Sequence, residues 1–244
     1  MTLAPESRTP LDGVDLVVFD EDGTLIDFHA MWGTWLVQLA RDVSAETGRP
    51  VLDDLRRVMG AAASSGRISS GGPLATSTMA VLRELTVEAV RASGCSAAEA
   101  TAAVDAAWSS PDPVALARPL ADLRALFGRL RAVDRHVAVV TADDRAATEA
   151  TMAALGVADW IGALVCADDG LPMKPAPDML LSACDSLDVS PARTAMVGDT
   201  PADLAMARAA GALAIGVLSG VGDREALALF ADFLVASVAE LPGL

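Results

Sequence analysis

The stretch LVVFDEDGTLIDF, residues 16–28, sets an apolar run directly against four carboxylates, Asp20, Glu21, Asp22 and Asp27. Residues 14–20, VDLVVFD, read as a strand buried on both faces, and Gly23 and Thr24 supply a turn after it. A carboxylate at a strand end is fixed in position. One two residues further on faces the same side once the chain turns, so Asp20 and Asp22 are the first candidates for chemistry, while Glu21 between them points away. Asp27 is placed to cap a helix leaving the segment. The plain alternative is a solvated acidic turn, and the other strand ends bear on the choice.

Short apolar runs recur late in the chain, at HVAVVT (136–141), ALVCAD (163–168), TAMVGD (194–199) and LAIGVL (213–218). Between them lie segments of helical spacing, LADLRALFGRLRAV, RAATEATMAALG, APDMLLSACDSLD and PADLAMARAAG, the last ending in the C-cap residue Gly211. Strands alternating with helices predict an α/β fold, a doubly wound, Rossmann-like parallel sheet covered on both faces. Residues 28–117 carry no comparable strand signal and read as helices, broken by SSGRISSGG and SSPDPVALARP. The expected organisation is a core of residues 1–26 and 118–244, with an all-helical domain, residues 27–117, inserted after the first strand. Pro111, Pro113 and Pro119 punctuate the return.

Apolar residues make up 52% and charged residues 21% of the 244 positions, the composition of a globular protein with room for a core and an inserted module. No run approaches the roughly 18 apolar residues of a membrane helix. The opening MTLAPESRTP lacks the basic-then-apolar layout of a signal peptide, so a cytoplasmic location is expected. Cys95, Cys166 and Cys184 are far apart and odd in number, which favours small buried hydrophobes over a disulfide framework. A net charge of −15 argues against nucleic-acid and anionic-membrane surfaces. An anionic substrate must then meet a local cation, and Lys174 is the only lysine in the chain.

Ligands of an open parallel sheet bind outside the carboxyl ends of its strands. Those ends carry Asp20 with Asp22, Thr141, and Asp199 with Asp203, and Lys174 follows the 163–168 run by a few residues. Two or three carboxylates plus water suit Mg²⁺. A short hydroxyl and one ammonium suit the oxygens of a phosphoryl group.

In order, FDEDGT (Asp20, Asp22, Gly23, Thr24), VVTA (Thr141), KPAP (Lys174) and GDTPAD (Gly198, Asp199, Asp203) resemble the four motifs of the haloacid dehalogenase superfamily. The resemblance covers about residues 12–26 and 118–240; the helical insert is similar to that superfamily's cap in placement and character only. It implies that Asp20 is the nucleophile that forms an aspartyl-phosphate, and that Asp22 is the general acid and then base. That role implies an Asp22 pKa raised when the cap closes. The resemblance further implies Mg²⁺ held by the Asp20 side chain, the Asp22 backbone carbonyl and Asp199, with Asp203 as a ligand or one shell out. Thr141, Lys174 and the backbone N–H groups of the Asp22 to Gly23 turn, with Thr24 beside it, would hold the phosphoryl oxygens.

The implied activity is hydrolysis of a small phosphate monoester, phosphoglycolate being the family-based guess. Asp22 points to phosphoryl transfer rather than dehalogenation, and the lack of lysine in residues 28–117 argues against a Schiff-base phosphonatase. A β-phosphoglucomutase-like phosphomutase and a non-catalytic binding protein of the same fold remain as alternatives, and the oligomeric state is open. Arg67, in SSGRISSGG, is a candidate to hold a charged group of the leaving moiety, against the plainer reading of a connector. His29 is a candidate cavity residue, against hinge packing. Trp32 and Trp35 read as helical core, and His136 as structural. Asp143 and Asp144 are placed to start a helix, and Asp168 and Asp169 either orient Lys174 or solvate a turn.

Overall fold

A computed structural model describes residues 10–241; residues 1–9, on which the targeting-signal reading rests, and 242–244 lie outside them. These residues form two compact units, one made of the chain up to Asp27 and from Arg118 onward, the other of Phe28–Ala117. No helix among the described residues is long and apolar enough to cross a membrane.

The first unit begins with β1 (Leu16–Phe19), whose four side chains are all fully buried. From Phe28 the chain builds the helical unit: α1 (Phe28–Thr47), α2 (Leu52–Met59), α3 (Pro73–Thr76), α4 (Met79–Ala92), α5 (Ala97–Ala107) and α6 (Pro113–Leu116). In α1, Met31, Trp35, Leu39 and Val43 recur every four residues and bury one stripe. The Trp35 ring stands edge-on to Trp32 and Trp108, with centroids 5.7 and 5.5 Å away, and its Nε1–H donates to Ser109 O at 2.8 Å. Trp32 and Trp108 are half-buried, and the fully buried side chains of the unit include those of Leu36, Val43, Leu55, Met59, Leu82 and Val104. Residues 73–93 divide into two helices because Ser77 and Thr78 adopt extended backbone, after which Thr78 Oγ1 accepts from Val81 N–H and starts α4 anew. Ser96 and Glu99 form a capping box at the head of α5.

The rest of the first unit is α7 (Leu123–Ala132), β2 (His136–Val140), α8 (Arg145–Ala154), β3 (Ala163–Val165), α9 (Asp178–Ser186), β4 (Thr194–Gly198), α10 (Pro201–Ala210), β5 (Leu213–Val217), α11 (Arg224–Ala228) and β6 (Phe233–Val235). The six strands form one sheet in the order β3-β2-β1-β4-β5-β6, every neighbouring pair parallel. Period-two alternation divides their side chains between two layers. Val17, Phe19, Val139 and Val197 pack against Leu126, Phe127 and Leu130 of α7 and Met152 of α8. Leu16, Val18, Val140 and Met196 pack against Met179 and Leu180 of α9 and Leu204 of α10. The edge strand β6 was not foreseen: its three residues are half-buried or exposed, too short a run to announce a strand.

The register sets up the site. Leu16 pairs with His136 on one side and Thr194 on the other, so one residue past β1 brings Asp20 level with Val140 and Gly198. Thr141 and Asp199 leave the sheet one residue further on, at the same edge. The chain steps from β1 to β2 on one side and later to β4 on the other, so this edge is the topological switch point.

Candidate active site

Asp20 closes the sheet by donating its N–H to Val197 O, and the chain then turns sharply. Glu21 O accepts from Thr24 N, Leu25 N and Ile26 N, while Gly23 takes φ +82° and donates its N–H to Ile26 O. A side chain at Gly23 would be strained at that φ, and its Cβ would also stand 2.5 Å from Asp199 Oδ2. The N–H groups of Gly23 and Thr24 are thus committed within the turn, and the Thr24 side chain is fully buried. Asp22 is half-buried, and its main chain forms a bridge with Ile26.

Lys174 is the electrostatic centre. Its Nζ donates to Asp20 Oδ1 and to Asp203 Oδ1, both at 2.6 Å, with the lysine side chain only 8% exposed. Burial alone would lower the Lys174 pKa, but the Asp20 and Asp203 carboxylates outweigh it and keep the ammonium charged, its pKa above the usual range. Burial pushes the Asp20 carboxyl up to about 7, against the pull of Lys174 and with a further push from Asp203. Asp203 also closes the head of α10: its Oδ2 accepts from Thr200 Oγ1 at 2.5 Å and Thr200 N at 3.1 Å, while its own N–H donates back to Thr200.

Asp199 is clasped by the chain around it. Its Oδ2 accepts from Val221 N at 2.8 Å and its backbone O from Gly222 N, while Oδ1 is buried with no hydrogen-bond partner among the described residues. A Cβ at Gly220 would overlap this carboxylate, so only glycine fits. Burial, reinforced by Asp20 and Asp203, holds the Asp199 carboxyl well above the usual range.

Two acids that the sequence reading did not place in the site stand next to it. Glu21 does point away from Asp20 and Asp22, but into the protein: it is 2% exposed and accepts from Thr148 Oγ1 of α8 at 2.8 Å. Burial pushes its pKa up to about 8, the charges of Asp143 and Asp20 adding to the rise and hydrogen bonds from Thr148 and Thr141 opposing it. Asp143 lies in the loop after β2; its N–H donates to Thr141 Oγ1 at 3.1 Å, and burial raises its carboxyl against the pull of Lys174. Asp144 takes the N-cap position of α8, without a side-chain cap bond, and Asp143 precedes it, so both acids stand at the helix start where the dipole favours them.

A family model described as haloacid dehalogenase-like hydrolase matches residues 14–211. The chain belongs to this family. Among its relatives, a phosphoglycolate phosphatase of Cupriavidus necator is 32% identical over 229 residues, 93% of this chain and 91% of that one. A phosphoglycolate phosphatase of Rhodospirillum rubrum is 32% identical over 230 residues, covering 89% and 87%. The fold matches a haloacid dehalogenase superfamily hydrolase, subfamily IA, of Geobacter sulfurreducens with a TM-score of 0.68 at 18% identity, over 93% of this chain and 94% of that one.

Haloacid dehalogenase-like motifs I and IV supply a donor set that fits a divalent cation. Asp20, Asp199 and Asp203 are buried, with carboxylate oxygens within 4.8 Å of one another. Three buried carboxylates face one ammonium, and an Asp199 oxygen has no partner among the described residues. Hard oxygen donors with excess negative charge suit Mg²⁺. Within the set Asp203 differs, since Lys174 and Thr200 occupy both its oxygens.

The remaining candidates fall elsewhere. Asp168 and Asp169 engage Arg145, not Lys174: Asp168 Oδ1 accepts from Arg145 N, and Asp169 takes the guanidinium and Cys166 N–H. In the helical unit, His29 Nδ1 accepts from Ile68 N–H at 3.2 Å, which pins the 61–68 loop to α1. Arg67 is exposed, with its backbone O accepting from Ala62 N–H in that loop. His136 is exposed at the start of β2, at the opposite end of that strand from Thr141.

Proposed function

We propose that this chain is a Mg²⁺-dependent phosphatase of small phosphate monoesters. The observation that carries the reading is the Lys174 ammonium bridging Asp20 and Asp203 at the sheet edge where Thr141 and Asp199 emerge. Asp20 would attack phosphorus and become an aspartyl-phosphate. Asp22 would give a proton to the leaving oxygen and then take one from water. Thr141 and Lys174 would hold phosphoryl oxygens, with Asp203 keeping Lys174 in place and the Thr200 box keeping Asp203 in place. Asp20, the Asp22 carbonyl and Asp199 would hold Mg²⁺, which offsets the charge of carboxylates and phosphoryl group. The helical unit would be the cap that selects the leaving group.

Relatives named phosphoglycolate phosphatase, at 32% identity over most of the chain, favour hydrolysis over mutase chemistry and make phosphoglycolate the first ester to try. The test is release of phosphate from an aryl phosphate and from a panel including phosphoglycolate and β-glucose 1-phosphate. Turnover that needs Mg²⁺ and stops with chelator supports the reading. Isomerised sugar phosphate without free phosphate would replace it with a mutase, and no turnover on any ester would defeat it.

A further inference from the structure

Glu21 joins the two turns that build the site, and the hydrolytic reading gives it no task. Alternation along β1 puts it on the face that carries Val17 and Phe19, opposite to Asp20. There its carboxyl is buried and bonded to Thr148 Oγ1, across 127 positions of sequence. Thr148 is fully buried on α8, the helix that starts directly after the Thr141 loop. The Thr141 hydroxyl is tied to the loop leading into that helix, since it accepts from Asp143 N–H at 3.1 Å. The main chain of Glu21 is equally committed, since its carbonyl accepts the three N–H groups that close the nucleophile turn. A carboxyl group in this layer carries a desolvation cost that an apolar side chain would not, so its retention calls for a task that hydrogen bonding performs.

We propose that Glu21 is a positioning residue for phosphoryl binding: it braces the Asp20 turn against α8 and so fixes where the Thr141 hydroxyl meets a phosphoryl oxygen. The proposal rests on the phosphatase reading. Its test compares wild type with Glu21→Gln, Glu21→Leu and the isosteric Thr148→Val. The readouts are steady-state kinetics on an aryl phosphate, inhibition by inorganic phosphate, and calorimetric affinity for inorganic phosphate with Mg²⁺.

Glu21→Leu and Thr148→Val should weaken phosphate affinity and raise KM by about tenfold, the worth of one buried hydrogen bond, with a smaller change in kcat. Glu21→Gln keeps an acceptor for the Thr148 hydroxyl and should restore most of the affinity. Equal defects in the Gln and Leu variants would mean that the acceptor for Thr148 is not what matters, and the brace would be overturned. Lower melting temperatures with unchanged KM and phosphate affinity would overturn it as well, leaving a purely structural role. Should Glu21→Leu not fold, Thr148→Val decides. An inactive wild type would defeat the phosphatase reading, and the phosphate affinities of the same variants would still decide the role of Glu21.

Discussion

Replacing Lys174 by methionine removes the one cation, among the described residues, within hydrogen-bonding distance of both Asp20 and Asp203. Each contact is 2.6 Å, and the side chains involved are 8%, 10% and 1% exposed, so solvent screens little. At an effective dielectric of about 20, each contact is worth roughly 6 kcal/mol of Coulomb attraction. Desolvation of the three ions offsets several kcal/mol apiece, and breaking a buried pair from one side typically costs about 3–5 kcal/mol net. Lys174→Met should therefore lose about that much in urea unfolding at neutral pH with chelator present.

The pH dependence follows from Asp20. Its folded pKa, about 7, lies above the ordinary 3.8, so its contribution is fully present below the lower value and fades as pH rises through the upper one. Without Lys174 that folded pKa climbs further, and the gap between wild type and variant should widen from pH 4 to pH 8. Adding Asp203→Asn to the variant should recover part of the loss. A loss under about 1 kcal/mol, or one independent of pH, would refute the reasoning, since an exposed pair behaves that way.

Three further outcomes are expected. Glu21 has a folded pKa of about 8 against 4.5, so its stabilising contribution is lost between those values; Glu21→Gln should flatten thermal stability across that window, by at most about 5 kcal/mol. Gly220→Ala drives a methyl group into the Asp199 carboxylate and should raise the Mg²⁺ concentration for half-maximal turnover while costing about 1–3 kcal/mol of stability. His29→Ala leaves the Ile68 N–H without its imidazole acceptor and should cost about 1–2 kcal/mol and speed proteolysis at residues 62–67.

The strands that carry the site were legible because a parallel strand buried on both faces is a continuous apolar run. VDLVVFD, HVAVVT and TAMVGD each end at a residue of the cluster. The direction of Glu21 was legible but not its contact, because its partner, Thr148, comes from a distant helix, and pattern reading does not see such contacts. The same holds for Asp169, whose partner Arg145 precedes it by 24 residues. Asp203 is a different case: Thr200-Pro201-Ala202-Asp203 has capping-box spacing, a local signal that this carboxylate reaches back to its own helix start rather than only outward to a metal.

In the proposed mechanism Asp20 carries the phosphoryl group. Acid quenching of enzyme mixed with Mg²⁺ and a radiolabelled aryl phosphate, whose leaving group needs no proton, followed by peptide mapping, tests it most directly. Label should sit on the peptide containing Asp20, vanish in Asp20→Asn, and persist in Asp22→Asn, which lacks the base that activates water. Label on another peptide, or undiminished turnover by Asp20→Asn, would contradict the account.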